Sequence, residues 1–243
     1  MEKLLRLFSN IIYTALWYIC YQTLLKYWEL KFTRGQVQNI MSSIHACTVI
    51  CCTSSLLLNH NGLPVRTEFL MLFSQGYYIY DFLQYKWNSK NAVFLIHHVV
   101  SIYVLTYLPT YDEGDQNALA LVIGLLGAEL SNIPMYITYH FIQEKKRCMK
   151  ILGKSDFFDD KLNKKEKEII IDASINIWYY ARWLRRLPCI ESLSFFCFRG
   201  LGGVYLMLFF ICDFTLFWIT FAFWSVSIYW SFSFCKKSPK KIK

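Results

Sequence analysis

The feature that most constrains the fold of this chain is a series of apolar blocks separated by short polar segments. Each block is roughly 17–25 residues long, the length of helix that crosses about 30 Å of hydrocarbon at about 1.5 Å per residue. Hydrophobic residues make up 55% of the 243 residues, against roughly 45–50% in soluble domains. The pattern predicts an all-α, polytopic helical membrane protein with about seven transmembrane helices.

Turn signals and charged segments divide these blocks into separate predicted spans. The segment between the fifth and sixth spans is hydrophilic at first, and apolar residues then recur at helical spacing from Ile170 to Leu184. Charged and aromatic side chains occupy its other faces, so it is predicted to form a helix in the membrane interface. The spans are 10–30, 38–58, 69–87, 92–108, 117–141 and two within 192–234, which a turn near Cys212 and Asp213 separates.

The net charge of +9 is concentrated in alternate loops and in the tail. The positive-inside rule assigns those segments to the cytosol and places the N-terminus in the lumen. Residues 1–37 are then the first span with a cytosolic loop, and residues 38–235 form the helical membrane domain. Within that domain, 143–187 is a basic cytosolic loop with the interfacial helix, and 236–243 is a basic cytosolic tail. Charge placed in this way meets anionic lipid headgroups and gives no indication of a nucleic-acid partner.

The last residues of the sequence resemble a targeting signal. Lys240 and Lys241 lie four and three residues from the C-terminus. This pattern resembles the dilysine signal that returns membrane proteins to the endoplasmic reticulum, so a multi-pass protein of that membrane is expected. The alternative is a basic juxtamembrane tail that holds anionic headgroups.

Cysteine and histidine usage gives no indication of a metal or a resident cofactor. The nine cysteines contain no C-x-x-C pair, and most lie in or beside apolar segments. Packing thiols are therefore favoured over disulfides, metal ligands or redox sites. Five histidines are too few for a membrane di-iron desaturase. Three of them, His45, His60 and His140, are predicted at a surface or an interface.

Two adjacent histidines, His97 and His98, lie inside the apolar fourth span. A ring nitrogen in hydrocarbon has no water to bond, so it needs partners within the protein. The hairpin at 86–91 would bring Asp81 beside these histidines. Further polar residues at similar depth lie in the fifth and sixth spans: Glu129, Ser131, Asn132 and Arg199. The sequence thus predicts one buried polar cluster toward the cytosolic side of the membrane.

Each member of this cluster also has a structural interpretation. A single histidine could serve only to hydrogen-bond two helices, although neighbours about 100° apart on a helix would engage different partners. Arg199 could be the counter-ion of Glu129 or Asp81. Pro134 is expected to kink the fifth span. Glycines at 124, 127, 200, 202 and 203 would allow close helix approach at this level.

Four motifs at these positions resemble those of the TLC family, the membrane domain shared by ceramide synthases, a translocon-associated protein and several lipid-regulating proteins. The resemblance covers about residues 60–235. It implies a helical barrel that encloses a lipid cavity and, in the synthases, acyl transfer from acyl-CoA to a long-chain base by the two histidines. The motifs are Gly76-Tyr-Tyr-Ile-Tyr-Asp81, His97-His98-Val-Val-Ser101, Glu129-Leu-Ser-Asn-Ile-Pro134 and Phe195-Phe-Cys-Phe-Arg199.

One motif departs from the synthase pattern. Where the synthases carry His-Asp-x-x-Asp, this chain reads Ala128-Glu129-Leu130-Ser131-Asn132. The chain therefore looks closer to the non-synthase branch of small TLC-domain proteins concerned with membrane lipid composition.

Three functions are compatible with these observations. The first is a membrane protein that binds or regulates lipids, with membrane lipids as partners and self-association left open. The second is an acyl-CoA-dependent N-acyltransferase, with acyl-CoA as substrate. The third, a seven-span transporter or receptor-like bundle, is opposed by the resemblance. The candidate catalytic residues are His97, His98 and Asp81, and the candidate lipid-binding residues are Glu129, Ser131, Asn132, Arg199 and Ser101.

Overall fold

The computed structural model describes residues 2–28, 32–58, 67–84, 92–107, 116–153, 164–209 and 214–236. Every secondary-structure element in these residues is helical, which confirms the all-α prediction. A π-helical segment, Phe195–Leu201, joins α7 to α8. The α-helices are α1 (Glu2–Trp28), α2 (Arg34–Leu58), α3 (Thr67–Gln84), α4 (Ala92–Tyr107), α5 (Gln116–Leu152), α6 (Lys164–Leu184), α7 (Leu187–Ser194), α8 (Gly202–Phe209) and α9 (Phe214–Lys236).

The helix ends differ from the predicted spans mainly in the second half of the chain. α5 has 37 residues, which is about 55 Å at 1.5 Å per residue, so it extends beyond its predicted span into the basic segment. α7 begins at Leu187 with Pro188 in its first turn, where a missing N–H costs no helical hydrogen bond. The backbone stays helical through both ends of the π-helical segment. Residues 187–209 therefore form one continuous rod, the α7–α8 rod.

One helix within the described residues, α2, is long and apolar enough to cross a membrane. Two shorter apolar stretches, Leu95–Thr106 and Phe217–Tyr229, lie in α4 and α9. A single helix of this kind is a weak indication of membrane association, because the core helix of a soluble protein or a signal sequence has the same length and composition. The seven-span topology stays a prediction, and the predicted turn near Cys212 lies outside the described residues.

Six helical rods form a closed ring in which each rod packs against the next. The order around the ring is α2, α3, α4, α9, the α7–α8 rod and α5, and α5 packs against α2 to complete it. α1 lies outside this ring against α3, and α6 lies outside it against α5. The interior of the ring is where polar side chains from distant parts of the sequence can meet.

α1 lies very close to α3 at Gly76. A Cβ atom at this position would collide with the side chain of Tyr13 and come within 3.0 Å of its backbone, so glycine is required there. One turn away, Trp17 donates its indole N–H to the carbonyl of Phe73 at 3.3 Å, and its ring packs edge-on against Tyr77. These contacts fix α3, and thereby the position of Asp81 near its C-terminal end.

α6 packs side by side with the C-terminal part of α5. Ile170 and Ala173 are buried, and the Tyr180 ring lies 5.2 Å from the ring of Phe141 of α5. The buried face of α6 is therefore the apolar stripe expected from the sequence. Trp178 remains exposed on another face. The position of α6 in a membrane interface stays a prediction.

Candidate functional site

α3 and α4 bring Asp81 and His98 together, as expected for a hairpin between the two helices. The His98 Nε2 atom lies 2.6 Å from Asp81 Oδ2, and both side chains are buried. An ionised carboxylate can only accept, so the ring nitrogen is the donor when Asp81 is ionised. The amide of Gln38 donates to the other Asp81 oxygen, and its carbonyl accepts a hydrogen bond from Tyr80 at 2.7 Å. Side chains from α2, α3 and α4 thus hold this carboxylate.

His97 and His98 have different surroundings. His98 points to Asp81, whereas His97 lines an internal cavity. The ring of Tyr78 packs edge-on against both, with centroid distances of 6.4 Å to His97 and 5.6 Å to His98. Ser101 donates its hydroxyl to the His97 carbonyl at 2.8 Å and also lines the cavity. The two neighbours therefore serve different parts of the site.

Glu129 of α5 is a second buried carboxylate, with 1% of its surface exposed. Tyr78 donates its hydroxyl to Glu129 Oε1 at 2.8 Å, and the Asn132 amide donates to Oε2 at 3.1 Å. His45 of α2 approaches the same carboxylate, with Nδ1 3.7 Å from Oε1. Side chains from α2, α3 and α5 thus surround this carboxylate.

Arg199, on the π-helical segment, bonds to the same stretch of α5. Its Nε donates to Ser131 Oγ at 2.6 Å, and its Nη2 donates to Asn132 Oδ1 at 2.6 Å. The guanidinium also lies over the ring of Phe195, 4.6 Å from the centroid. Asn132 bridges the two charges, because its carbonyl accepts from Arg199 while its amide donates to Glu129. The expected association of Arg199 with Glu129 is therefore indirect and runs through the Asn132 side chain.

These polar groups adjoin a cavity of about 370 Å³ between the rods of the ring, which is open on one side. Its volume lies within the range of roughly 300–1,000 Å³ that small-molecule sites occupy. The wall is formed by α3, α4, α5, the α7–α8 rod and α9, and most of its side chains are apolar. The polar side chains in the wall include Tyr78, His97, Ser101, Arg199 and Ser227.

Arg199 and His97 lie at one end of this cavity, whereas Thr220 of α9, seven residues before Ser227, lines it further along. Along the α7–α8 rod, Arg199 faces Ser131 of α5, whereas Leu206 faces Gly124. Seven residues of helix separate those two levels, which is about 10 Å. On α3, Met71 packs in one cluster with Leu105 of α4 and Val122 of α5. The cavity is therefore amphipathic along its length.

Three residues of the site were not predicted as such from the sequence. Gln38 is only the first residue of the predicted second span, and Tyr78 is only part of the motif Gly76-Tyr-Tyr-Ile-Tyr-Asp81. The prediction of a surface or interface position for His45 is wrong, because its side chain is completely buried. A usable signal existed for Tyr78, which precedes Asp81 by three residues and so shares its helix face. His140 is half-buried, and His60 lies outside the described residues.

The geometry permits amphiphile binding and hydrogen bonding at the polar end. A neutral imidazole offers one donor and one acceptor, and a guanidinium offers a fixed charge with several donors. Within the part of the chain that the structure describes, no group of three or more histidine, cysteine or acidic side chains could hold a metal ion.

Comparison with known proteins gives no match: no family model, curated protein or solved structure shows significant similarity to this chain. The resemblance of the four motifs to the TLC family therefore stays a prediction.

Proposed function

We propose that this chain is a multi-pass membrane protein of the TLC type that binds a membrane lipid in its cavity and contributes to lipid homeostasis. The amphipathic cavity carries this proposal. Its apolar end suits a hydrocarbon chain, and its polar end offers His97, Ser101 and Arg199 to a headgroup. Apolar pockets with a few convergent polar groups are the usual form of a small-molecule site.

The outer surface of α4 supports a position in the membrane. Ile96, Val99 and Tyr103 are 59%, 52% and 52% exposed, whereas His98 and Ser101 on the same helix are buried. An apolar exterior with polar groups inside is the reverse of a helix in a soluble domain. It is the arrangement that a hydrocarbon surrounding requires.

The helix order supports the seven-span topology. With α7 and α8 taken as one rod, every rod except α6 corresponds to one predicted span. The positive-inside rule then orients the N-terminus to the lumen and α6 to the cytosol. The Lys240–Lys241 pair favours the endoplasmic reticulum as the membrane concerned.

Acyl-CoA-dependent N-acyl transfer is the second candidate, favoured by the imidazole that His97 presents to the cavity. In general-base catalysis by histidine, a carboxylate orients the same ring that meets the substrate. Here Asp81 bonds to His98, while His97 is the ring in the cavity wall. Because these two roles fall on different rings, lipid binding is the better-supported function.

Mass spectrometry of copurifying lipids tests the binding proposal. His97→Ala should change the lipids bound to the purified protein, because it removes a polar group from the headgroup end, while the protein stays monodisperse. The matched control is His140→Ala, since His140 is half-buried on α5 away from the cavity wall. An unchanged lipid profile in His97→Ala, equal to that of wild type and control, would overturn the proposal.

An acyl-CoA turnover assay on the same preparations separates binding from chemistry. Product formed by the wild type and lost in both His97→Ala and His98→Ala would assign the acyltransferase. Absence of turnover with retained lipid binding would assign the binding function.

A further inference from the structure

The charge lining the cavity has one sign. Among the described residues in its wall, Arg199 is the one with a formal charge, and no carboxylate belongs to the wall. The two nearby carboxylates are turned away from it. Asp81 bonds to His98 and to the amide of Gln38. Glu129 lies behind Tyr78, whose hydroxyl donates to it.

A charged headgroup in such a cavity is selected by the charge it meets first. At low dielectric, two unit charges a few ångströms apart interact far more strongly than in water. An ammonium group at the polar end would meet the Arg199 guanidinium and would have no carboxylate in the wall to pair with. A carboxylate or phosphate there can approach the fixed positive charge of the guanidinium, beside its present hydrogen bonds to Ser131, Asn132 and the Ala128 carbonyl, and it pairs with that charge as an ammonium group cannot.

The volume of the cavity limits how much of the ligand's hydrocarbon can be enclosed. A cavity of about 370 Å³ lies at the low end of the roughly 300–1,000 Å³ range for small-molecule sites. The route from Arg199 to Leu206 is one helix face about 10 Å long. The enclosed part of this space suits one hydrocarbon chain, and the end of a longer chain would extend through the open side of the cavity.

On the basis of the proposed lipid-binding function, we propose that the cavity takes a single-chain amphiphile with an anionic headgroup, and that Arg199 selects it. A fatty acid and an alkyl phosphate share this chemistry. A long-chain amine of the same length is excluded by the same charge.

Four ligands with one chain length test this selectivity on the full-length protein in detergent, by native mass spectrometry and by titration. They are hexadecanoate, hexadecyl phosphate, hexadecanol and hexadecylamine. At least one anion should bind the wild type about tenfold or more tightly than the alcohol, and the alcohol more tightly than the amine. The ratio of the two anions distinguishes a carboxylate ligand from a phosphate ligand.

Two substitutions test the role of Arg199. Arg199→Gln should weaken anion binding by about tenfold or more and change alcohol binding little. Arg199→Lys keeps the charge and should therefore keep the preference for an anion over the amine. This variant tests the role of the charge even where Arg199→Gln does not fold. The matched control is Arg182→Gln, which removes an exposed arginine that lies over Trp178 of α6; its binding should equal that of the wild type.

Different results would overturn the inference alone or the proposed lipid-binding function as well. Binding of hexadecylamine or hexadecanol to the wild type as tight as that of both anions would overturn the inference and leave lipid binding in place. Equal weakening of all ligands in a folded Arg199→Gln protein would overturn the selective role of Arg199. Binding of none of the four, together with no copurifying lipid, would overturn the proposed function and the inference with it.

Discussion

At the scale of single residues, the three described histidines near the polar cluster differ in what their ring nitrogens contact. His98 bonds to a carboxylate, and His97 faces the cavity. The ring of His45 is stacked 4.0 Å from that of Tyr77, and neither of its nitrogens has a hydrogen-bond partner among the described residues. A buried polar group without a partner costs free energy. The position of His45 next to Glu129 therefore carries a cost that an apolar ring would avoid.

His45→Phe tests this account of the buried ring. Phenylalanine keeps the stacking on Tyr77 and removes two polar atoms that lack hydrogen bonds. The variant should be unchanged in its free energy of unfolding or more stable by about 1–3 kcal/mol. Thermal unfolding followed by tryptophan fluorescence measures the change.

The matched control is His98→Phe, in which the same replacement removes a ring that bonds to Asp81 at 2.6 Å. Loss of one partner of a buried pair should cost roughly 3–5 kcal/mol. If His45→Phe lost as much stability as His98→Phe, the nitrogens of His45 would have an essential polar partner and the account would be wrong.

At the scale of elements, the π-helical segment Phe195–Leu201 positions Arg199 and contacts α9. Its hydrogen bonds run to the fifth residue rather than the fourth, and such segments are frequent at functional sites. Trp224 of α9 donates its indole N–H to the carbonyl of Gly200 at 3.0 Å. Its ring lies against Gly203, where a Cβ atom would come within 2.7 Å of it. Small residues here let α9 close the ring beside the cavity.

Neighbouring glycines provide a matched pair for this contact. Gly203→Ala should destabilise the protein by about 1–3 kcal/mol, because the methyl group overlaps the Trp224 ring. A Cβ atom at Gly202 has no neighbour within 4 Å. Gly202→Ala should therefore be neutral or stabilising by up to about 1 kcal/mol, the helix propensity difference. Thermal unfolding of both variants decides, and equal stability of the two would contradict the packing of α9 on the rod.

Contacts between residues of neighbouring helices could be predicted from the sequence, whereas contacts that depend on the packing of distant helices could not. The Asp81–His98 pair was predictable, because two helices joined by a short hairpin place residues of similar depth side by side. The helices were predictable from the apolar blocks, since their length is set by hydrogen bonding and hydrophobicity. The contact of His45 with Glu129 was not, because it depends on the packing of α2 against α5. The π-helical segment also has no periodicity of its own that a sequence pattern would show.

At the scale of the whole molecule, the ring brings the charged side chains of the candidate site together inside it, whereas α1 and α4 carry exposed apolar side chains on their outer faces. Both carboxylates, the arginine and the three described histidines at this level come from α2 to α5 and the α7–α8 rod. In water the exposed apolar faces of α1 and α4 would associate. Surrounded by hydrocarbon they need no partner, and the polar level is sheltered. The proposed orientation, with basic segments on the cytosolic side, rests on the positive-inside rule.

An odd number of spans places the two ends of the chain on opposite sides of the membrane, which glycosylation mapping tests directly. The sequence contains no Asn-x-Ser/Thr acceptor, so any N-linked glycan must be attached to the added acceptor. One extension that carries a single acceptor is fused in separate proteins to Met1 or to Lys243. The N-terminal fusion should gain one glycan, removable by endoglycosidase, because the proposed topology places the N-terminus in the lumen. The C-terminal fusion should gain none. Glycans on both fusions, or on the C-terminal fusion alone, would contradict the proposed topology. Glycan on neither would place the N-terminus outside the lumen and remove the basis for seven spans.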